Sequence, residues 1–499
     1  MASLKDRVAD VGSQKQLFID QHVVDEMVGV SQVLNPAVKH EANPLLVPEF
    51  PWEFAPTRDG GRNGSIQFYG TVLYDEEEKT FKMWYMAQGG VCYATSRDGL
   101  EWEKPRLGLA EFEGSKQNNI VPDGPYEGLN YCPEMRDVEG PERVYKCLRL
   151  MPGRCWMPFF SSDGLRWTQH PAEPVVQGGD ECKTCKTHDA LPGDWTGPLP
   201  KYAAFPKIGP SAGRFAGRRS VGLSLSDDYV NWSPPVLVLV ADEVDDEMAP
   251  IRVAEAKEAE VIDLDWPEDY RGELYHMCVF PYEGLFLGLV DVFYIAAELW
   301  RIGQLNQGGP DEIQLTSSRD LIHWERAGGR EPIVPNGRLG DWDAGWRSAT
   351  SRPLVMGDEI WIYYGARNTD HGGLIWNNKP RTAGIGLAKL RLDGFVSLDA
   401  GDTEGTVTTR PLLFEGRKLV INARAGEGSV VVEVLSREGV PVDGFSAMDC
   451  DPFVGDSVRH TVTWRGDSDL SSLHGGPMRL RFRMKKVKLY AFAFVNDLG

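Results

Sequence analysis

The chain has 499 residues, 42% of them hydrophobic and 25% charged, a balance that fits a soluble globular protein with a large core and room for two or three domains. Lys+Arg 53 against Asp+Glu 73 leave a net charge of −20, which excludes the basic footprint that a nucleic acid or an anionic membrane surface requires. No apolar run reaches the roughly 18 residues of a membrane span. Met1 to Arg7 lacks the apolar stretch of a signal peptide, so a cytoplasmic protein is expected, or a secreted one if a leader has been removed. The 8 Cys show no disulfide-framework spacing, which predicts reduced thiols.

At the amino end, Gln16 to Val24 reads as a strand followed by a second amphipathic one. Residues 1 to about 35 are expected to close a ring of sheets against the last sheet. The ring itself is predicted from a returning unit, Ser96-Arg97-Asp98-Gly99-Leu100-Glu101-Trp102. It recurs at Ser161 to Trp167, Ser226 to Trp232 and Ser318 to Trp324, and in worn form at Leu387 to Phe395. The aromatic positions step by 65 (102 to 167), 65 (167 to 232), 92 (232 to 324) and 71 (324 to 395) residues. A period of that size, with several short strands per copy, is the pattern of a propeller. In each copy Asp98, Asp163, Asp227 or Asp320 makes the turn, and the aromatic packs back between neighbouring sheets.

Five copies predict five blades, at about 40–105, 115–170, 175–235, 240–327 and 335–400. Leading strand pairs are Phe68 to Tyr74 with Phe81 to Tyr85, Tyr131 to Met135 with Val144 to Leu148, and Lys183 to Thr187 with Tyr202 to Phe205. Those of the last two blades are His276 to Phe280 with Leu285 to Val290, and Ser351 to Val355 with Ile360 to Tyr364. An acidic insertion, Asp242 to Glu247, accounts for the 92-residue step. From about Gly401 the unit disappears, and period-two alternation in Leu419 to Ala423, Val430 to Val434 and Met478 to Met484 predicts an antiparallel β-sandwich. Helical periodicity is scarce. The predicted fold is therefore all-β: a five-bladed β-propeller over 1–400, followed by a β-sandwich over 401–499.

A propeller crowds the starts of its innermost strands around a central funnel, so polar residues there converge from distant parts of the chain. The residues this selects are Asp20, Trp52, Glu53, Glu134, Asp180, Glu181, His276, Asp341, Asp343, Arg347, Asp370 and His371. Glycosidic cleavage needs one protonated carboxyl to release the leaving oxygen and one ionised carboxylate to attack or to activate water. Glu53, Asp180 and Asp343 are the predicted catalytic set. Asp20, Trp52, Glu181, His276, Arg347 and His371 are the predicted substrate-binding residues, with Trp52 a platform for a sugar face and Arg347 a clamp for a hydroxyl or carboxylate. For any one acid the alternative is a strand-end turn or cap; for Trp52 it is a blade core, and for Arg347 an ion pair with Asp341 or Asp343. Cys182-x-x-Cys185-x-x-His188 is half a zinc site with no second pair, so no metal is expected, and no cofactor. Phosphate loops and nucleophile elbows are absent from the sequence.

The repeated Ser-x-Asp-Gly turns and the trailing sandwich resemble the five-bladed propellers of glycoside hydrolase families 32, 43 and 68. Gln16 to Asp20, Phe81 to Tyr85, Gly357 to Trp361, Asp449 to Asp451 and Leu489 to Phe492 resemble bacterial family-32-like proteins more closely. The resemblance implies three funnel carboxylates and a hydrolase of a furanoside or related oligosaccharide, and a funnel, which suits chain ends, predicts exo action. The family-32 motifs Trp-Met-Asn-Asp-Pro-Asn-Gly, Arg-Asp-Pro and Glu-Cys-Pro are absent, so the roles above rest on strand-start geometry. A mannoside-type phosphorylase, drawing on Lys183, Lys186, His276 and Arg347, is a second enzyme reading. A sialidase or a non-catalytic sugar-binding propeller completes the alternatives.

Overall fold

Each Ser-x-Asp unit folds into the same hairpin turn, built by its own side chains. In the computed structural model, which describes residues 7–56, 60–122, 135–151, 155–170, 175–187, 199–262, 265–298, 307–338, 340–372 and 381–496, the Ser96 hydroxyl accepts from the Gly99 amide at 2.8 Å. The Asp98 carboxylate accepts from the amides of Leu100 and Glu101 at 2.8 and 2.9 Å. Ser161 with Asp163, Ser226 with Asp228 and Ser318 with Asp320 repeat the pattern. Short polar side chains here take the place of backbone partners, which is why the unit needs Ser and Asp. The third turn uses Asp228 rather than Asp227. The next residue is left-handed in every copy: Gly99 (φ 77°), Gly164 (75°), Tyr229 (64°) and Leu321 (67°). Tyr229 and Leu321 hold that conformation because their side chains are buried in blade interfaces.

The turns also weld the ring. Trp84 donates to the Gly164 carbonyl at 2.9 Å, joining blade one to blade two, and Tyr282 donates to Asp393 at 2.7 Å, joining blade four to the worn fifth turn. Tyr363 donates to the Gly99 carbonyl at 2.8 Å and so closes blade five on blade one. Phe81 stacks on Trp361 across the same seam, with centroids 5.8 Å apart, and Thr350 and Ser351 bond the blade-one backbone. Tyr363→Phe removes the closing bond and leaves a buried carbonyl short of a partner. It is expected to lower unfolding free energy by about 1–3 kcal/mol in urea titration.

Five antiparallel sheets surround the axis, with innermost strands Gln67–Asp75, Met135–Arg136, Cys182–Lys186, Arg271–Tyr282 and Arg347–Ser348. This is the five-bladed all-β propeller that the repeat predicts. Ring closure differs in detail from expectation. Strands Gln16–Leu17, Val24–Val28 and Val30–Leu34 join the C-terminal sheet, and the strand completing blade five is Val38–Lys39, paired with Ala388 and Lys389. The early segment reads as a ring-closing strand because its alternation is the same for either sheet; Phe18, packed on Phe482 and Phe492, fixes the actual choice.

The C-terminal residues form one nine-stranded sheet whose 18-residue strand Lys418–Leu435 pairs with Val487–Val495 at one end and Arg479–Lys485 at the other. Its apolar side encloses a separate core around Phe18, Val432, Phe482 and Phe492. Strand Val396–Ala400 already belongs to this sheet, so the boundary at 400 falls within its first C-terminal strands. The acidic insertion is a helix, Glu243–Glu258, started by an Asp242 cap that accepts from Val244 at 2.9 Å. A near-zero apolar periodicity hid it from the sequence; Ala249, Val253 and Ala256 bury against blades three and four, with Met248 packed at their edge.

Candidate active site

In an antiparallel blade, the start of the first strand, the end of the second and the start of the third lie on the same side. That side of the ring gathers Glu181 before Cys182–Lys186, Lys207 near the end of Tyr202–Ile208 and Arg219 just before Ser220–Ser226. Tyr275, Phe293 and Asp311 come from blade four, and Trp346, Arg367, Asp370, His371 and Arg381 from blade five.

Asp180 stands at the lip with 46% of its side chain open, 2.7 Å from Lys207 Nζ. Burial opposes its charge, but the Lys207 ammonium outweighs that effect and holds the carboxyl below its ordinary range. Lys207 also lies 3.7 Å from the centre of the Tyr275 ring. Arg219, a quarter open, bonds Glu273 at 2.5 Å and Gln307 at 2.8 Å.

Behind this lip the floor is aromatic and tightly braced. Tyr275 meets Trp346 edge-on at 4.8 Å, and His371 packs on Trp346 and Phe293 at 4.7 and 5.1 Å. His371 Nδ1 faces the Gln307 carbonyl at 2.9 Å, and Nε2 faces the Tyr275 hydroxyl at 3.3 Å. Burial, and then Arg367, push the His371 imidazole well below its usual range, so it is neutral at pH 7. The Tyr69 hydroxyl bonds that of Tyr275, and burial raises both phenols. Glu181 is buried within electrostatic reach of both.

Deeper still, Asp291 and Asp311 are sealed from solvent together with His276 and Arg347. His276 Nδ1 lies 3.1 Å from Asp291. Asp311 accepts the Arg347 amide at 3.0 Å, and burial pushes its carboxyl up to about 7. Arg347 donates to the Gly345 carbonyl at 2.6 Å and to the Asp311 carbonyl. Buried, it is a wall brace in place of the expected substrate clamp, and its ion-pair partner is Asp311 where the alternative reading had Asp341 or Asp343. Farther along the same inner strands the axis narrows to a cavity of about 30 Å³ lined by Thr71, Lys183, Val279 and Thr350, enough for water but not for a sugar.

The other predicted residues lie elsewhere. Glu53 ends a short turn, Pro51–Glu53, that precedes the outlying strand Phe54–Pro56. Its oxygens accept from the amides of Glu49 and Phe50, from Tyr85 and from Lys104, at 2.6 to 3.0 Å. Neighbouring Trp52 stacks on Phe50 and donates to Asn119 at 2.8 Å, a packing role on blade one. Asp343 takes the Tyr364 hydroxyl at 2.9 Å and Lys39 at 2.5 Å, locking the closing strand onto blade five. Asp20 binds Arg319 of the fourth repeat turn at 2.7 Å, and Asp341 accepts the Arg338 amide in a turn. Glu134 and His188 lie outside the described residues, and Cys182 and Cys185 are buried in blade three. The structure therefore gathers Asp180, Glu181, His276, Arg347, Asp370 and His371, and leaves Glu53, Trp52, Asp343 and Asp20 apart. Attention to strand-one starts alone passes over Lys207, Arg219, Arg367 and Arg381, which a search of strand-two ends and strand-three starts would have selected.

No family model and no curated protein matches the chain. Among solved structures it is similar to an N-acetylgalactosamine deacetylase from F. plautii in complex with blood group B trisaccharide, at 16% identity over 73% of this chain and 96% of that one, with a TM-score of 0.39. A fructofuranosidase from Schwanniomyces occidentalis, complexed with fructosylnystose, is 10% identical over 93% of this chain and 100% of that one, with a TM-score of 0.34. An α-L-arabinanase from Penicillium chrysogenum, complexed with arabinobiose, is 10% identical over 73% and 99%, with a TM-score of 0.30.

Proposed function

We propose that this protein is a carbohydrate-active enzyme that cleaves glycosidic bonds at the open end of the funnel, as an exo-acting hydrolase of a furanoside or related oligosaccharide. The observation that carries the reading is Asp180, an accessible carboxylate kept ionised by Lys207 above a rigid, largely dehydrated floor. An ionised carboxylate in that position can attack an anomeric carbon or activate water, and Glu181, sunk beside the Tyr69–Tyr275 pair, is the neighbouring carboxyl assigned the general-acid role. The tight axial cavity supports exo action: a sugar chain cannot thread past it and must enter by an end.

The test is a screen of aryl furanosides, aryl pyranosides and oligosaccharides with product analysis, run with and without phosphate. The reading predicts terminal sugar release independent of phosphate, whereas strict dependence on phosphate would replace hydrolysis by phosphorolysis. Lys207→Met adds a pH readout. Loss of the ammonium lets the Asp180 carboxyl rise, so the acid limb of the kcat/KM profile should move to higher pH. An unmoved acid limb would separate Asp180 from the chemistry.

A further inference from the structure

Arg367 ends strand Glu359–Arg367 and stands opposite Ala383 in the register of strand Ala383–Arg391. Arg381 comes two residues before Ala383, and the Asn368 amide donates to the Thr382 carbonyl at 3.2 Å, so the pairing continues past the strand ends. Period-two alternation therefore turns both arginines to one face, diagonally across the pair. Both side chains are more than nine-tenths buried. Arg367 bonds the His371 carbonyl at 2.9 Å, with the Asp370 and Asp311 carboxylates within electrostatic reach. Arg381 Nε has no hydrogen-bond partner among the described residues. Its strongest charged neighbour is another cation, Arg367.

Two buried like charges side by side are costly unless an anion joins them. Burial lowers both guanidinium groups from their usual range, and Arg367 lowers Arg381 further. Next to them the Tyr69 hydroxyl bonds that of Tyr275, whose ring faces Lys207. The wall of the bowl thus carries cations and hydroxyl donors in sequence from Arg381 to Lys207.

We propose that Arg367 and Arg381 form an oxyanion subsite in the wall of the bowl, taking either free phosphate or a carboxylate carried by the sugar itself. Planar guanidinium forks match both anions. The inference deepens the reading above and rests on it for the ligand being a substrate or co-substrate.

Isothermal titration of the whole chain in chloride-free buffer, first with inorganic phosphate and then with glucuronate, tests it. At least one anion is expected to bind with a Kd of about 1 mM or tighter, and Arg381→Met should weaken that binding at least about tenfold. Phosphate binding alone assigns a free-anion site and turns the reading above from hydrolysis to phosphorolysis, and glucuronate binding alone assigns an acidic sugar. No binding of either anion, or binding unchanged in Arg381→Met and Arg367→Met, overturns the proposal. The variants remove a buried cation and are expected to fold; should either fail, the titration of the wild-type chain decides. Because binding is read without turnover, an inactive protein that binds would sink glycosidic cleavage and spare the subsite. An active protein that binds neither anion would do the reverse.

Discussion

Asp180→Asn is expected to reduce kcat/KM by about 10³-fold or more while leaving the thermal midpoint within a few degrees of wild type. The carboxylate is half open and pairs with Lys207, so the amide keeps a similar shape and loses little packing. Glu53→Gln and Asp343→Asn should behave in the opposite way. Glu53 accepts from two amides, a tyrosine and a lysine, and Asp343 ties Lys39 to Tyr364, so each substitution costs stability and leaves turnover within a few-fold. Steady-state rates combined with urea titration of the three variants separate the two behaviours. A large rate loss confined to Glu53→Gln or Asp343→Asn would move the chemistry away from the bowl.

Asp137→Asn is expected to be the most destabilising single-atom change in the ring, at about 3 kcal/mol or more. Lys146 is fully buried and lies 2.9 Å from Asp137, which also faces Lys186 at 3.2 Å and takes the Tyr202 hydroxyl. The network sits where blade two meets blade three, and removing its central charge leaves buried cations under-compensated. Burial works against the Asp137 charge, but its hydrogen bonds to Lys146 and Tyr202 prevail and hold the carboxyl far below its ordinary range. A folded-state pKa that is depressed contributes stability above the unfolded value near 3.9 and loses it as pH falls further. The gap between wild type and variant should accordingly be full at pH 7 and shrink below about pH 4, read by denaturant titration at several pH values. A gap that is constant with pH would mean that the charge is not the source.

The ring was legible because its turns are local: Ser96 and Asp98 make their bonds within five residues, so the chemistry is written contiguously four times over. The strands that lead into the turns, Gly90–Ser96, Cys155–Ser161, Ser220–Ser226 and Asp311–Ser318, followed with them, whereas the inner strand of blade five falls at Arg347–Ser348, ahead of the expected Ser351 to Val355, and residues 131–134 of the expected blade-two strand lie outside the described residues. Long-range choices were not legible. Gln16–Leu17 joins the C-terminal sheet through Phe18, and nothing local distinguishes that outcome from pairing in blade five. The site was half legible for the same reason. Asp180, Glu181 and His276 follow from strand starts, and His371 lies just past the end of strand Glu359–Arg367, whereas Glu53 was misplaced because the strand it precedes is an outlying one and the true inner strand starts at Gln67. Lys207 and Arg381 were missed because a side chain at the end of a second strand or the start of a third reaches the axis only once the blade's tilt is known.

The most direct measurement is a crystal structure of the Asp180→Asn protein soaked with the glycoside that wild type cleaves fastest. The account predicts the terminal sugar in the bowl, with the glycosidic or anomeric atoms within about 3.2 Å of residue 180 and an outer edge toward Arg219. A second opening, the groove of His40, Glu359, Arg391 and Asp456 where blade five meets the C-terminal sheet, offers the contrasting result. Sugar bound there, with the bowl empty, would contradict the account.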